Sequence, residues 1–400
     1  RIVSMTLQQF YNNLAHYVKP ESIFIFDMDG TLVNSDIANF NAYSEALSPT
    51  INLAQRYIAG RITRASLSEL GVSRTMQCSI VSKKREVYSK YLKDTIKMPL
   101  ACKILEIVSK TNMTILATQS EKQRAIDTLQ YHDLHAKFTH SVFREDLQEE
   151  QQNKYAHVVQ KYNLNPQDIF VFEDNEIEIA NALTAGIPQK NIISLLKPHV
   201  ILPNHFLKRK TQAYYHIDYV GYLQPFNPDF INVLKNQDGS TNSEKLYHAQ
   251  AELKDILLNG IAQIYSTAGV SPLTICVIPR AKAETEYQPQ QLLFRTTIKE
   301  VVEYLTKKYS YFLEDGTNYI IRHTNTRTTH LQDHDTDGEK PYPRITCETC
   351  TISENVYGKS ILLIDDIYTS NVNIDEDAIQ ALYDNGARKV LFYTIAKTKH

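Results

Sequence analysis

The chain has 400 residues, 42% hydrophobic and 22% charged, the balance of a soluble globular protein with room for two domains. Lys and Arg number 43 and Asp and Glu 45, so a formal net charge of −2 provides no global field toward nucleic acid or a membrane. No apolar run reaches bilayer-spanning length, and five scattered cysteines fit a reducing cytoplasm better than a disulfide framework.

The opening stretch, RIVSMTLQQFYNN, lacks the apolar centre of a signal peptide. SIFIFDMDG, ending at Gly30, is a predicted strand, and helical stretches follow to about Leu92. The strand NMTILATQS leads to a helix around Glu121–Tyr131. FTHSVF, a helix over Asn153–Tyr162, the strand DIFVFED and a helix ending at Ala185–Gly186 complete the first half. Apolar strands alternating with helices imply a parallel sheet. KRK and two prolines interrupt the pattern near 200–215. The second half reads as a helix from about Ser243 to Tyr265, the strand LTICVIP, a helix over Thr297–Tyr309 and the strand NYIIRH. A long polar stretch, Thr324–Asn355, has the character of a flap. SILLIDD, a helix over Asp375–Asn385 capped by Gly386, and KVLFYTIA close the chain. The fold class is therefore α/β, with two parallel-sheet domains over 1–205 and 206–400.

In open parallel sheets ligands bind beyond the C-terminal strand ends. Asp27 and Asp29 stand at such an end, and residues i and i+2 of an extended chain point the same way. One site can thus receive a nucleophilic carboxylate and a second acid/base group; the plainer alternative is an Asp-Gly turn after a strand. Thr118 and Gln119, at the next strand end, suit phosphate oxygens. Glu173 and Asp174 add carboxylates for a hard cation such as Mg²⁺. Lys154 opens a helix from which it can neutralise phosphate charge.

In this order DMDGT, Thr118, Lys154 and FEDN resemble the four motifs of the haloacid dehalogenase (HAD) superfamily, and NALTAGIP resembles the segment that follows them. The resemblance covers about Ser22–Leu196. It implies a Rossmann-like core with a helical C1-type cap over about 36–98, as in the phosphoglycolate-phosphatase-like branch. Dehalogenases lack the second aspartate of the first motif, so phosphoryl chemistry is implied. Asp27 would attack phosphorus, and Asp29 would protonate the leaving oxygen and then activate water. Asp27, the Asp29 carbonyl and Asp174 would hold Mg²⁺, while Thr118, Gln119 and Lys154 would bind the phosphoryl group.

Near the other terminus ILLIDDIYTSNVN carries adjacent acids, Asp365 and Asp366, whose side chains diverge along a strand. That arrangement suits a diol or a metal–sugar bridge better than in-line attack. The loop behind them enters a helix, where backbone N–H groups can meet a phosphate. An acidic turn with an N-cap at Asn373 or Asp375 is the plainer alternative. The wider segment resembles the phosphoribosyl diphosphate (PRPP) motif of type I phosphoribosyltransferases, closest to the branch associated with DNA uptake, over about Ile217–Thr398. That resemblance implies ribose contacts at Asp365 and Asp366 and a 5-phosphate loop of Thr369, Ser370, Asn371, Val372 and Asn373. It also implies a pyrophosphate site at Arg280 and Lys282. Asn371 and Asn373 replace the usual glycine and threonine, but asparagine tolerates left-handed backbone well.

His330, His334, Cys347 and Cys350 form H-x3-H and C-x2-C pairs that suit tetrahedral Zn²⁺; a chance decoration of the flap is the competing reading. The joint expectation is a cytoplasmic, Mg²⁺-dependent phosphatase for a small phosphorylated metabolite or nucleotide. It would be coupled to a PRPP-dependent transferase acting on a nucleobase or nucleotide. The alternative is a second domain that only binds PRPP or nucleotide, as a sensor or assembly module, in a bacterial stress or defence setting.

Overall fold

The computed structural model describes residues 5–56, 62–149, 152–221, 227–236, 239–269, 272–308, 312–325 and 349–399. The chain divides into two compact units, Arg1–Leu196 with Asn259–Gly269, and Lys197–Leu258 with Val270–His400.

The strands of the first unit are β1 (Met5–Thr6), β2 (Ile23–Phe26), β3 (Val33–Asn34), β4 (Ile96–Lys97), β5 (Met113–Ala117), β6 (His140–Val142), β7 (Ile169–Phe172) and β8 (Ile192–Ser194). Six of them form one parallel sheet in the order β1-β8-β7-β2-β5-β6. The IFIF of β2 and IFVF of β7 are apolar at every position because both sheet faces are covered. One face packs Ile25, Ile115 and Val171 against Tyr155 and Val158. On the other, Phe10, Phe24, Phe170 and Phe172 cluster, and Phe26 stacks on Phe172 with centroids 4.3 Å apart. From β2 the chain runs to β5 and β6 on one side, then returns to β7 on the other. This reversal at β2 is a topological switch point, where a crevice opens beyond the strand ends.

The expected cap is helical. It comprises Asp36–Leu47, Leu53–Arg56, Arg64–Glu69 and Arg74–Val87, and a 3₁₀ turn over Tyr88–Asp94. Ala38, Ala42, Val87 and Tyr88 make its small core. The chain leaves for the cap along β3 and returns along β4, and these two pair antiparallel.

The second unit contains β9 (Lys197–Ile201), β10 (Thr211–Tyr219), β11 (Leu273–Val277), β12 (Leu313–Asp315), β13 (Ile320–Arg322), β14 (Cys350–Ile352), β15 (Ser360–Tyr368) and β16 (Lys389–Thr398). Its main sheet runs β12-β11-β15-β16-β10-β9, parallel throughout except for β9. The predicted strand NYIIRH forms β13, but outside this sheet, paired antiparallel with β14. Here the strand order reverses between β11 and β15. Most of the stretch expected to be a flap, 326–348, lies outside the described residues. Among the described residues no helix is long and apolar enough to cross a membrane.

Candidate active site

Asp27 follows β2 directly, and its N–H donates to the Phe172 carbonyl at the end of β7, 3.1 Å away. One further rung of the ladder thus places the carboxylate over the switch point. Gly30 then takes φ +82° and donates to the Val33 carbonyl at 2.9 Å, while Leu32 and Val33 donate to Met28. A side chain is strained at that φ, so glycine is what permits the reversal.

Lys154 opens the helix Lys154–Lys161, whose N-cap Asn153 accepts from Ala156. Its Nζ lies 2.8 Å from Asp27 Oδ1, 3.0 Å from Glu173 Oε2 and 3.8 Å from Glu178 Oε2. Glu173 is completely engaged. Oε1 accepts from the backbone N–H groups of Asp174 and Asn175, and Oε2 also accepts from the Tyr155 hydroxyl at 2.5 Å. Burial would pull the Lys154 ammonium down, but the charges of Asp27, Glu173 and Glu178 hold it above its ordinary range. Burial, then the charge of Glu173, pushes the Asp27 carboxyl well above the usual carboxylate range. Burial alone would raise Glu173 as well, yet Lys154, Tyr155 and the backbone donors bring it below.

Oxygens of Asp27, Glu173 and Asp174 lie within 4.8 Å of one another. Lys154 pairs with two of these three carboxylates, and the excess of hard oxygen charge fits a divalent cation such as Mg²⁺. Asp174 accepts from Thr31 Oγ1 at 3.3 Å and from Gln263 Nε2 at 2.8 Å. Gln263 belongs to the stretch Asn259–Gly269, which groups with the first unit.

Thr118 is buried at the end of β5, and its hydroxyl accepts from the Ser120 N–H. Gln119 donates from Nε2 to the Gln152 carbonyl at 3.1 Å, which uses part of an amide expected for phosphate. Asp29 has partners that sequence reasoning missed. Ser35 and Ser120 donate to it, and Arg124 grips both oxygens at 3.2 and 2.7 Å. A signal was available, since TQSEKQR places Ser120 and Arg124 one helical turn apart at a strand end.

The second acidic centre lies at the other switch point. On one side β15 loses its neighbour β11 after Ile364; on the other it stays paired with β16 through Tyr368. Asp365 and Asp366 therefore sit inside the strand, just beyond the end of β11, rather than after the strand. Lys235 Nζ pairs with Asp366 at 2.9 Å. Burial and then the charge of Asp366 push the Asp365 carboxyl up to about 7, and Asp375 is held well above its usual range by burial and then by Asp365. Asn371 and Asn373 take φ +70° and +68°, the left-handed backbone expected of them. The Thr369 hydroxyl is bonded to that of Thr398 at 2.7 Å. Arg280 donates to the carbonyls of Lys235 and Gln291 and lies over the Tyr287 ring, while the Lys282 N–H donates to the Tyr287 hydroxyl. Of the residues considered for zinc, His330, His334 and Cys347 lie outside the described residues. Cys350 is buried in β14.

Residues 24–191 match the family model described as haloacid dehalogenase-like hydrolase. A phosphorylated carbohydrates phosphatase of Thermotoga maritima is 29% identical over 177 residues, which is 41% of this chain and 81% of the relative. Among solved structures, a haloacid dehalogenase-like hydrolase of Streptococcus pneumoniae is 18% identical, covering 44% of this chain and 95% of its own, with a TM-score of 0.37. A hydrolase from Pseudomonas syringae is 20% identical, covering 44% and 93%, with a TM-score of 0.33. The first unit thus carries a haloacid dehalogenase-like hydrolase domain. The family match ends ahead of β9, so the second unit stands here as an α/β unit alone.

Proposed function

We propose that the first unit is a Mg²⁺-dependent phosphatase for a small phosphorylated metabolite, with Asp27 as nucleophile. The observation that carries this reading is the Lys154–Asp27 contact inside a cluster of three carboxylates at a switch point. Asp27, Asp174 and the Asp29 carbonyl would hold a divalent cation, which would supply the charge that lets a phosphate approach these acids. Lys154, the Thr118 hydroxyl and backbone N–H groups bind the phosphoryl oxygens. Asp27 attacks phosphorus as the bond to the leaving alcohol breaks, and Asp29 gives that oxygen a proton. Asp29, now a carboxylate, takes a proton from water, whose oxygen attacks phosphorus. Inorganic phosphate leaves and Asp27 is restored. The named activity of the Thermotoga relative supports sugar phosphates as a first class to assay. Asp27→Asn protein should release no phosphate from esters that the native protein hydrolyses with Mg²⁺; unchanged turnover would exclude this nucleophile.

For the second unit we propose PRPP or a nucleotide as ligand, with Asp365 and Asp366 toward the ribose and 369–373 around the 5-phosphate. Support comes from the position of the acids at a switch point and from the left-handed backbone at Asn371 and Asn373. Either the unit transfers the phosphoribosyl group to a base or it binds without turnover. Arg280 is committed to two carbonyls, which favours binding. Pyrophosphate release from PRPP with a panel of bases tests transfer; saturable binding without release assigns a sensor.

A further inference from the structure

The cap holds a buried lysine with no carboxylate partner. Lys84, on the helix Arg74–Val87, is 9% exposed, and among the described residues its ammonium makes no hydrogen bond or ion pair. It lies over two rings instead, 5.2 Å from the centroid of Tyr43 and 4.8 Å from that of Tyr88. The Tyr88 hydroxyl is buried beside Arg124 and Thr128, which interact with it. The Arg124 guanidinium lies 5.7 Å from the centroid of the same Tyr88 ring while it grips Asp29. Two cations therefore flank one ring beside the acid/base carboxylate, and among the described residues Lys84 has no anionic partner within ion-pair distance. Leaving the Lys84 ammonium buried without an acceptor is costly, and a ligand anion would relieve that cost. Of the two acids whose charge reaches Lys84, Asp29 is held by Arg124, and Glu121 is paired with Arg85 and Arg144.

Asp29 faces the oxygen that leaves, so whatever that oxygen is attached to meets Lys84, Tyr88 and Arg124. We propose that these three residues bind a second anionic group, a carboxylate or a second phosphate, carried on the leaving alcohol of the substrate. These side chains select phosphate esters carrying a second anion over esters of neutral alcohols. This inference rests on the reading of Asp29 as the group facing the leaving oxygen. The second anion also competes with Asp29 for Arg124. Binding of the correct substrate thus frees the acid/base carboxylate from its guanidinium.

Two matched pairs test the proposal on the full chain with Mg²⁺. Glycerol 3-phosphate against 3-phosphoglycerate tests a carboxylate; fructose 6-phosphate against fructose 1,6-bisphosphate tests a second phosphate. Binding is measured by calorimetry in Asp27→Asn protein, which keeps the ester intact, and kcat/KM in the native protein. In at least one pair the ester with a second anionic group should bind tenfold or more tightly than its partner built on a neutral alcohol, and the winning pair identifies the anion. Adding Lys84→Met, which keeps the bulk of the side chain, should remove most of that ratio. A ratio is independent of the folded fraction, so a partly unfolded variant still reports. Equal binding within both pairs, or a ratio that Lys84→Met leaves intact, overturns the proposal. Selective binding by Asp27→Asn protein without turnover by the native protein instead removes the phosphatase reading and leaves the anion pocket standing.

Discussion

Lys154 Nζ lies 2.8 Å from Asp27 Oδ1 and 3.0 Å from Glu173 Oε2, so one buried ammonium divides its charge between two carboxylates with different roles. Glu173 has all its oxygen capacity satisfied by Lys154, Tyr155 and the backbone, while among the described residues the Asp27 carboxylate accepts from Lys154 through Oδ1 alone. Removing the ammonium leaves both acids buried and facing one another. Lys154→Met should destabilise the first unit by about 3–5 kcal/mol and abolish turnover. The loss should be smaller at pH 5 than at pH 8, since Asp27 takes up a proton readily. Urea denaturation at the two pH values checks this; equal losses would show that Asp27 does not take up the missing charge.

Tyr155 completes this arrangement from the position next to Lys154. Tyr155→Phe removes one donor to Glu173 and should cost roughly 1–3 kcal/mol, the range for leaving a buried acceptor short of a partner. Its effect on kcat should be much smaller than that of Lys154→Met. A loss of activity as complete as that of the lysine variant would place Tyr155 in contact with the substrate.

A divalent cation should stabilise the native chain more than the Asp27→Asn variant, because binding to the folded state alone raises stability by about 2.7 kcal/mol at a hundredfold excess over Kd. Without Mg²⁺ the order should reverse. Burial holds Asp27 well above its usual range, so stability is lost as pH rises through that raised value. The amide avoids this loss. Thermal melts at pH 8 with and without Mg²⁺ distinguish the two effects.

Lys84 links substrate choice to pH. Burial, followed by the charge of Arg124, pushes its ammonium down to about 8, with Asp29 and Glu121 opposing and Arg85 adding to the shift. Tyr43 and Tyr88 face it from neighbouring elements. Because kcat/KM reports ionisation in the free enzyme, the preference for an ester with a second anionic group should fade as pH rises through about 8. A preference constant from pH 6.5 to 9.5 would assign the selection to Arg124 alone.

Asp365 has the same sign as Asp27. Its carboxyl titrates near pH 7 when folded and near the ordinary carboxylate value when unfolded, so the folded chain binds the extra proton between them. Stability should therefore fall as pH rises from about 4 to 7, then level off. Asp365→Asn should flatten that slope and leave the second unit about 1–3 kcal/mol more stable at pH 8, each pKa unit being worth about 1.4 kcal/mol. A variant less stable than the native chain at pH 8 would contradict this sign.

The strand ends were legible because apolar runs such as IFIF and IFVF stop abruptly at acids, and a parallel sheet brings successive strand ends to one edge. Asp27, Thr118 and Asp174 follow from that logic, and Lys154 from its place at a helix start. Lys84 and Tyr88 do not, and Arg124 only through its spacing from Ser120, because each lies in a helical segment where a charge or ring reads as a solvated or packing residue. Only the folding of the cap gives them a common neighbourhood. Tyr155 was hidden for a related reason: beside Lys154 it reads as core, and its ring is indeed buried, but its hydroxyl reaches Glu173. The partner of Asp366, Lys235, is separated from it by well over a hundred residues, with no local pattern joining them. NYIIRH was rightly read as a strand, yet composition could not tell that it pairs outside the main sheet.

The ribbon of β3 and β4 has an evolutionary reading. Val33 pairs with Lys97 and Asn34 with Ile96, so the two points where the cap joins the core are already cross-strand neighbours. A short hairpin turn could close that gap, because paired strands are only about 5 Å apart. The helical insert is therefore a cassette. A lineage can lengthen, shorten or replace it without moving a single core strand or the acids at the strand ends.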